Sequence, residues 1–180
     1  GCFCIMNTGD TPVISKNKML TTIGYQINGK VAYALEGSVF IAGAVVQWLR
    51  DQLQMISEAS EIEALAKTVE NNGEVTFIPA LAGLGAPYWD SEATGSILGI
   101  TRGTNKGHIA RAALEAIALR VMEIVTEMQK DANTTFKSLK VDGGASNNDL
   151  LMQIQSDLLE TEVIRPQTTE TTALGAAFFA

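Results

Sequence analysis

One stretch decides the fold: Val141-Asp142-Gly143-Gly144-Ala145, followed by Ser146-Asn147-Asn148-Asp149-Leu150-Leu151. The apolar run at 139–141 predicts a short buried strand that ends at the carboxylate of Asp142. The two glycines permit a turn with positive φ, because they have no Cβ. Asn147 and Asp149 then stand where a new helix takes a cap and an acidic first turn. The stretch therefore predicts strand, turn and helix in close succession.

A strand, a glycine turn and a helix N-terminus together leave backbone N–H groups directed outward. That arrangement suits a phosphate or the sugar end of a nucleotide. The same pattern is also found in ordinary connecting loops, where the glycines only make the turn. By itself the stretch leaves both interpretations open, and the other segments have to decide between them.

Apolar periodicity and turn residues divide the rest of the chain into short elements. Strands are predicted at 3–6, 21–26, 31–35, 75–78, 97–100, 139–141 and 163–164, with turns at 7–10 and at Asn28-Gly29. Helices are predicted at 38–53, 62–69, 108–130 and 148–159, followed by an apolar terminal helix. Hairpin strands followed by strand–helix alternation predict one α/β domain, with a mixed β-sheet and helices on both faces.

The composition excludes several classes of protein. The chain has 180 residues, is 46% apolar and carries a net charge of −7 without a basic cluster, which argues against nucleic acid and anionic membranes as partners. No apolar run approaches the roughly 18 residues of a membrane helix. Cys2 and Cys4 are the only cysteines, and the single histidine, His108, is far away in the sequence. The two cysteines are therefore predicted to be buried, reduced thiols of a cytoplasmic protein.

The predicted helix at 38–53 contains a glycine, Gly43, where glycine costs about 1 kcal/mol relative to alanine. Something is therefore expected to approach that backbone closely, either another helix or a flat ligand such as a purine ring. Gln47 lies four residues on and projects from the same helix face. A glycine beside an amide suits a nucleotide base or its phosphates, although Gln47 could also be only a polar residue at the helix edge.

Two further segments are interpreted as structural. The loop Gly-Leu-Gly-Ala-Pro-Tyr-Trp-Asp at 83–90 is predicted to pack onto the body of the domain, with Tyr88 and Trp89 as a clamp rather than as substrate contacts. His108 opens the longest helix and is predicted to lie at a surface or interface, without a catalytic role. The sequence contains no P-loop, no dinucleotide-binding glycine motif and no nucleophile elbow.

Taken together, these segments resemble the C-terminal domain of the FGGY carbohydrate kinases. Residues 95–115 fit the family signature, which is Gly-x-apolar-x-Gly-apolar, a spacer and His-Ile-x-x-Ala-x-Leu-Glu. Further segments resemble the glycerol-phosphorylating members in particular; they are 1–3, 20–23, 34–37, 47–51, 83–90, 141–145 and 172–177. The resemblance runs over essentially the whole chain, in one order.

The resemblance implies a ribonuclease H-like fold of the actin and hexokinase type. Two such domains would close around ATP and glycerol, and residues 1–180 would be the C-terminal, nucleotide-binding one, truncated at both ends and without its N-terminal partner. Phe3 would form an apolar wall against the carbon skeleton of glycerol. The nucleotide contacts would come from Gly43, Gln47, Gly143, Gly144 and Asn148.

The reaction implied by the resemblance is transfer of the γ-phosphoryl group of Mg²⁺-ATP to a terminal hydroxyl of glycerol, giving ADP and glycerol 3-phosphate. Its catalytic aspartate would precede Gly1, so the chain alone is expected to be inactive, with no catalytic residue of its own and no residue assigned as a metal ligand. Asp142 is placed to orient the glycine turn or to reach nucleotide or metal. The full-length protein would be a homo-oligomer. The alternatives are a kinase of another family substrate, such as a pentulose, and a non-catalytic actin-like nucleotide-binding module.

Overall fold

Three small sheets and five α-helices make up the part of the chain that the structure, a computed structural model, describes, residues 1–179. The strands are β1 (Cys2–Gly9), β2 (Leu20–Ile27), β3 (Lys30–Val39), β4 (Thr76–Ile78), β5 (Ser96–Leu98), β6 (Ser138–Lys140) and β7 (Glu162–Ile164). The helices are α1 (Gly43–Asp51), α2 (Glu61–Ala66), α3 (Lys106–Ala132), α4 (Asp149–Leu159) and α5 (Thr171–Phe179). A 3₁₀ turn, Gly144–Asn147, precedes α4.

The largest sheet is antiparallel, with strand order β1-β3-β2. Its hairpin turn has Asn28 at φ 49° and Gly29 at φ 78°. Positive φ at both central residues is the requirement of the turn that Asn-Gly favours, so the predicted hairpin is confirmed. The predicted turn at 7–10 begins later, because β1 continues through a bulge as far as Gly9.

The remaining strands form two pairs, β4 with β5 antiparallel and β6 with β7 parallel. The α/β class, with both strand directions, is therefore confirmed. Among residues 1–179 the strands lie in three sheets, however, and not in the single mixed sheet that the pattern suggested. The start of β1 and the turn after β6 line a common cleft.

The predicted helix at 38–53 begins later than expected. Val39 and Ser38 pair with Cys2 and Phe3 of β1, so β3 extends to Val39. The helix starts only at Gly43. Gly43 is thus the first residue of α1, and the prediction that it lies in mid-helix is wrong.

Helix α3 packs against the sheet and against the other helices of the core. Its buried face is rich in alanine, which lets neighbouring elements approach closely. Leu114, Ile124 and Met128 of α3 are completely or almost completely buried, as is Leu35 of β3. No helix in the described residues has the length and apolar character to span a bilayer.

The loop at 83–90 is held against this body. The backbone N–H of Ala86 donates to the carbonyl of Ser38 at 3.0 Å, and the Arg120 guanidinium donates to the carbonyl of Ala86 at 2.7 Å. The same guanidinium lies 4.9 Å from the centre of the Tyr88 ring. These contacts confirm that the loop packs onto the body of the domain.

Trp89 and His108 also have structural partners. The indole N–H of Trp89 donates to the carbonyl of Lys18 at 2.8 Å, and its ring meets the ring of Phe40 edge to face. Nδ1 of His108 accepts the backbone N–H of Asn105 at 3.1 Å, which completes a capping box at the start of α3. His108 therefore has a structural role as a helix cap.

The contact between the sheet and α3 gives a first prediction. A Cβ on Gly37 would clash with the side chain of Ile124 and lie 3.0 Å from the sulfur of Met19. Gly37→Ala should therefore lower the free energy of unfolding by about 1–3 kcal/mol, as overpacked cores do. Gly24→Ala is the matched control, because a Cβ there comes no closer than 3.4 Å to other atoms. Urea denaturation that ranks the two variants equally would contradict this packing.

Candidate functional site

One cleft has a volume of about 670 Å³ and lies where several elements converge. The starts of β1 and α1 form one wall, and the turn after β6 with the start of α4 forms the opposite wall. Helix α2 closes one side, and Leu114 and Ile117 of α3 lie at the base. The cleft therefore has an apolar floor and walls built from backbone turns, a common plan for small-molecule sites.

The structure brings most of the sequence-predicted site residues together here. All five residues assigned to the nucleotide line this cleft: Gly43, Gln47, Gly143, Gly144 and Asn148. Phe3 does not. Its side chain is 66% exposed and alternates along β1 with Cys2, which lines the cleft, so Phe3 lies on the other face of the strand.

The α1 wall presents a helix N-terminus. No side chain caps this end, where Ala42 is the N-cap residue. The first N–H groups of a helix have no partner within it, so they are available to an anion in the cleft. A Cβ on Gly43 would meet only the Cβ of Ala145, at an ordinary distance of 3.5 Å across the cleft. Of the two alternatives left open for Gly43, close packing of another α-helix is not seen; the nearest neighbour is Ala145 of the 3₁₀ turn, and Gly43 lines the cleft.

The opposite wall is the glycine turn. Gly143 has φ 77°, and its N–H donates to the carbonyl of Thr169 at 2.8 Å. Added Cβ atoms at Gly143 and Gly144 would meet nothing within 4 Å. The positive φ accounts for glycine at Gly143. At Gly144, neither a positive φ nor close packing explains why the residue is glycine. The space beside Gly144 is therefore free for a ligand.

The start of α4 is capped by a different asparagine from the one predicted. The side chain of Asn148 accepts the N–H of Leu151 at 2.8 Å, which makes it the N-cap. Asn147 belongs to the preceding 3₁₀ turn and lines the cleft. The N-cap lies one residue later than predicted because the 3₁₀ turn comes between the glycines and α4. The sequence pattern did not indicate this turn. Asp149 lies in the first turn of α4, as predicted.

Sequence reasoning missed the contribution of α2. Ser60 and Glu63 line the cleft, and a carboxylate oxygen of Glu63 accepts the backbone N–H of Asp149 at 2.9 Å. Glu63 and Asp142 are the two acidic side chains in this lining. No local signal marks Glu63, because its partner is 86 residues further along the chain.

The cleft offers neither a reactive thiol nor a metal centre of protein ligands. Burial raises the pKa of Cys2 to about 11 and that of Cys4 to about 12, so both thiols are neutral near pH 7. Both are free, as predicted. Within residues 1–179, no group of three or more histidine, cysteine or acidic side chains could hold a metal ion.

Comparisons with known proteins identify the family of the chain. The model of the C-terminal domain of the FGGY family of carbohydrate kinases matches residues 1–180. Two curated relatives are glycerol kinases, from Deinococcus radiodurans (60% identical) and Clostridium botulinum (58% identical). Each aligns with the whole chain, which spans 36% of the relative's length.

Solved structures give the same result. A Plasmodium falciparum glycerol kinase with ADP superposes with a TM-score of 0.90 and 40% identity, over 99% of this chain and 36% of that one. A ligand-bound xylulose kinase from Lactobacillus acidophilus superposes with a TM-score of 0.80 and 25% identity, over 98% of this chain and 35% of that one. The fold is thus ribonuclease H-like, of the actin and hexokinase type. The chain belongs to the FGGY family of carbohydrate kinases, as the sequence motifs predicted. Its most similar relatives in these comparisons are glycerol kinases.

The cap on α4 gives a second prediction. Asn148→Ala should lower the free energy of unfolding by about 1 kcal/mol, because the N–H of Leu151 loses its acceptor. Asn148→Ser should retain most of the stability, since serine is also a good N-cap. Thermal unfolding of the two variants measures the difference. Equal losses would show that the cap does not stabilise this wall of the cleft.

Proposed function

We propose that this chain forms the nucleotide-binding side of the active site of an ATP-dependent glycerol kinase. The observation that carries the proposal is the cleft between the α1 N-terminus and the Gly143-Gly144 turn, in a chain 60% identical over its whole length to a glycerol kinase. The ADP named for the Plasmodium falciparum structure supports a nucleotide as the occupant. The reaction would convert ATP and glycerol into ADP and glycerol 3-phosphate.

The two walls would hold different parts of the nucleotide. The uncapped N-terminus of α1, at Gly43, favours the phosphates, because its N–H groups and the helix dipole attract negative charge. Gln47 would add an amide from the next turn of the same helix. Gly144 and Asn148 would contact the ribose and base, where the turn leaves free space.

Mg²⁺ would enter with the nucleotide. This ion usually keeps several waters and takes most of its other ligands from the phosphates, so one carboxylate in reach is sufficient. Asp142 lies in the cleft directly before the glycine turn and fits that role. When bound, Mg²⁺ would neutralise charge on the transferred phosphoryl group.

The acceptor side of the site would come mostly from outside these 180 residues, which span 36% of the relatives' length. Phe3 would contribute an apolar surface to glycerol, consistent with its exposed ring outside the nucleotide cleft. The aspartate that accepts the hydroxyl proton would also be supplied from outside this chain. We further propose that the full-length protein is a cytoplasmic homo-oligomer, as the family resemblance implies.

The decisive experiment is phosphoryl transfer by the full-length protein, with ATP and Mg²⁺ and either glycerol or xylulose as acceptor. Turnover of glycerol with the higher kcat/KM would support the proposal. A preference for xylulose would favour the pentulose alternative, although the identity to the xylulose kinase is only 25%, against 40% for the glycerol kinase structure. ADP binding without turnover of either acceptor would identify a non-catalytic module.

The location of the nucleotide gives a third prediction. Gly43→Val should raise the Kd for Mg²⁺-ADP at least about tenfold in calorimetric titration, since its branched side chain would project into the space between the walls. Gly24→Ala, on the exposed strand β2, is the control and should bind normally. Unchanged affinity in Gly43→Val would place the nucleotide elsewhere.

A further inference from the structure

The glycine turn is held in place by side chains from two distant segments. The first is Arg165, which directly follows β7. One guanidinium nitrogen donates to the backbone carbonyl of Ser146 at 2.8 Å, and it also lies 2.8 Å from a carboxylate oxygen of Asp149. Arg165 thus joins the end of the 3₁₀ turn to the first residue of α4 on one side.

The second is Glu63, on the facing helix α2. One carboxylate oxygen accepts the backbone N–H of Asp149 at 2.9 Å, and the other is paired with the ammonium group of Lys67. The side chain of Glu63 is 21% exposed, whereas Asp149 lies at the surface. The hydrogen bond between Glu63 and Asp149 fixes helix α2 to the start of α4 across the side of the cleft.

The turn also has hydrogen bonds of its own, but its two glycines have open space on the cleft side. The N–H of Gly143 donates to the carbonyl of Thr169 at 2.8 Å, and the hydroxyl of Ser146 donates to the carbonyl of Gly143 at 2.7 Å. Added Cβ atoms at Gly143 and Gly144 would touch nothing, so no packing restrains these residues on the cleft side. Glycine also has more backbone freedom than any other residue, and fixing it costs more conformational entropy. The hydrogen bonds made by Arg165 and Glu63 add restraints to this segment from outside the turn.

We propose that Arg165 and Glu63 form a clasp that preorganises the turn at 143–149 for the nucleotide. They are positioning residues, since they act through the backbone of the turn and the start of α4. The inference rests on the proposed function, because it takes the cleft as the nucleotide site. A preorganised turn binds more tightly because less ordering remains to be done on binding. The clasp should consequently affect nucleotide affinity and leave the acceptor unaffected.

The test uses the full-length protein and steady-state kinetics. Arg165→Met and Glu63→Ala should each raise the KM for ATP about tenfold, while the KM for glycerol stays within about twofold. Arg165→Lys should recover part of the loss, because an ammonium group can replace one of the two contacts. Glu63→Gln should recover most of it, because its amide oxygen still accepts the N–H of Asp149.

A matched control separates this effect from a general loss of surface charge. Arg50 pairs with Asp51 on α1, and Arg50 does not line the cleft. Arg50→Met should leave both KM values unchanged. Hydrogen exchange without ligand adds an independent readout: amides at 143–149 should exchange faster in Arg165→Met than in Arg50→Met.

The outcomes distinguish the two proposals. A wild-type protein that neither binds ADP nor phosphorylates glycerol would overturn the proposed function, and the clasp with it. Wild-type turnover with an unchanged KM for ATP in Arg165→Met and Glu63→Ala would overturn the clasp alone. Equal increases in both KM values would also overturn it, because they would indicate general destabilisation. If Glu63→Ala fails to fold, the KM for ATP of Arg165→Met, compared with that of Arg165→Lys, decides whether the clasp exists.

Discussion

The burial of α3 is the constraint on which the rest of this domain depends. Its inward face carries alanines such as Ala110, Ala113 and Ala118, all with no exposed surface. Small side chains let the sheet, α2 and α4 pack close to the helix axis, where their larger residues fill the core. Gly37 does the same from the sheet side, against Ile124. The positions of the cleft walls therefore depend on how these elements pack against α3.

This arrangement separates two requirements of a ligand site. The floor, at Leu114 and Ile117, is part of the core and gains its rigidity from packing. The walls are helix starts and a backbone turn around open space, where added Cβ atoms at Gly143 and Gly144 would meet no neighbour. Rigidity in the walls must therefore come from individual hydrogen bonds, such as the cap of Asn148 and the contacts of Arg165.

The sequence predicted those parts of the fold that are specified locally. The pair Asn28-Gly29 predicted the hairpin, because its turn requires positive φ at both residues. Apolar periodicity predicted α3 and α4. The prediction failed at the start of α1, because the pairing of Ser38 and Val39 with β1 is a tertiary interaction that overrides local helix propensity.

The site shows the same division. All five residues assigned to the nucleotide from the pattern and the family resemblance lie in one cleft, although their contacts to a nucleotide remain a prediction. The roles of Glu63 and Arg165 could not be predicted from the sequence. Glu63 is 86 residues from its partner Asp149, and Arg165 is 19 residues from its partner Ser146. Their polar side chains are typical of any surface, and only the three-dimensional arrangement distinguishes them.

The neutral thiols described above have a practical consequence for labelling chemistry. Burial raises the pKa of Cys2 to about 11, so Cys2 is almost entirely protonated near pH 7, and the thiolate is the species that reacts with maleimides and iodoacetamides. Cys4 is less ionised still. Both native cysteines of this domain should therefore react slowly with such reagents. A single exposed cysteine introduced beside the glycine turn could then carry a fluorophore or spin label against a low background, without first removing the native thiols.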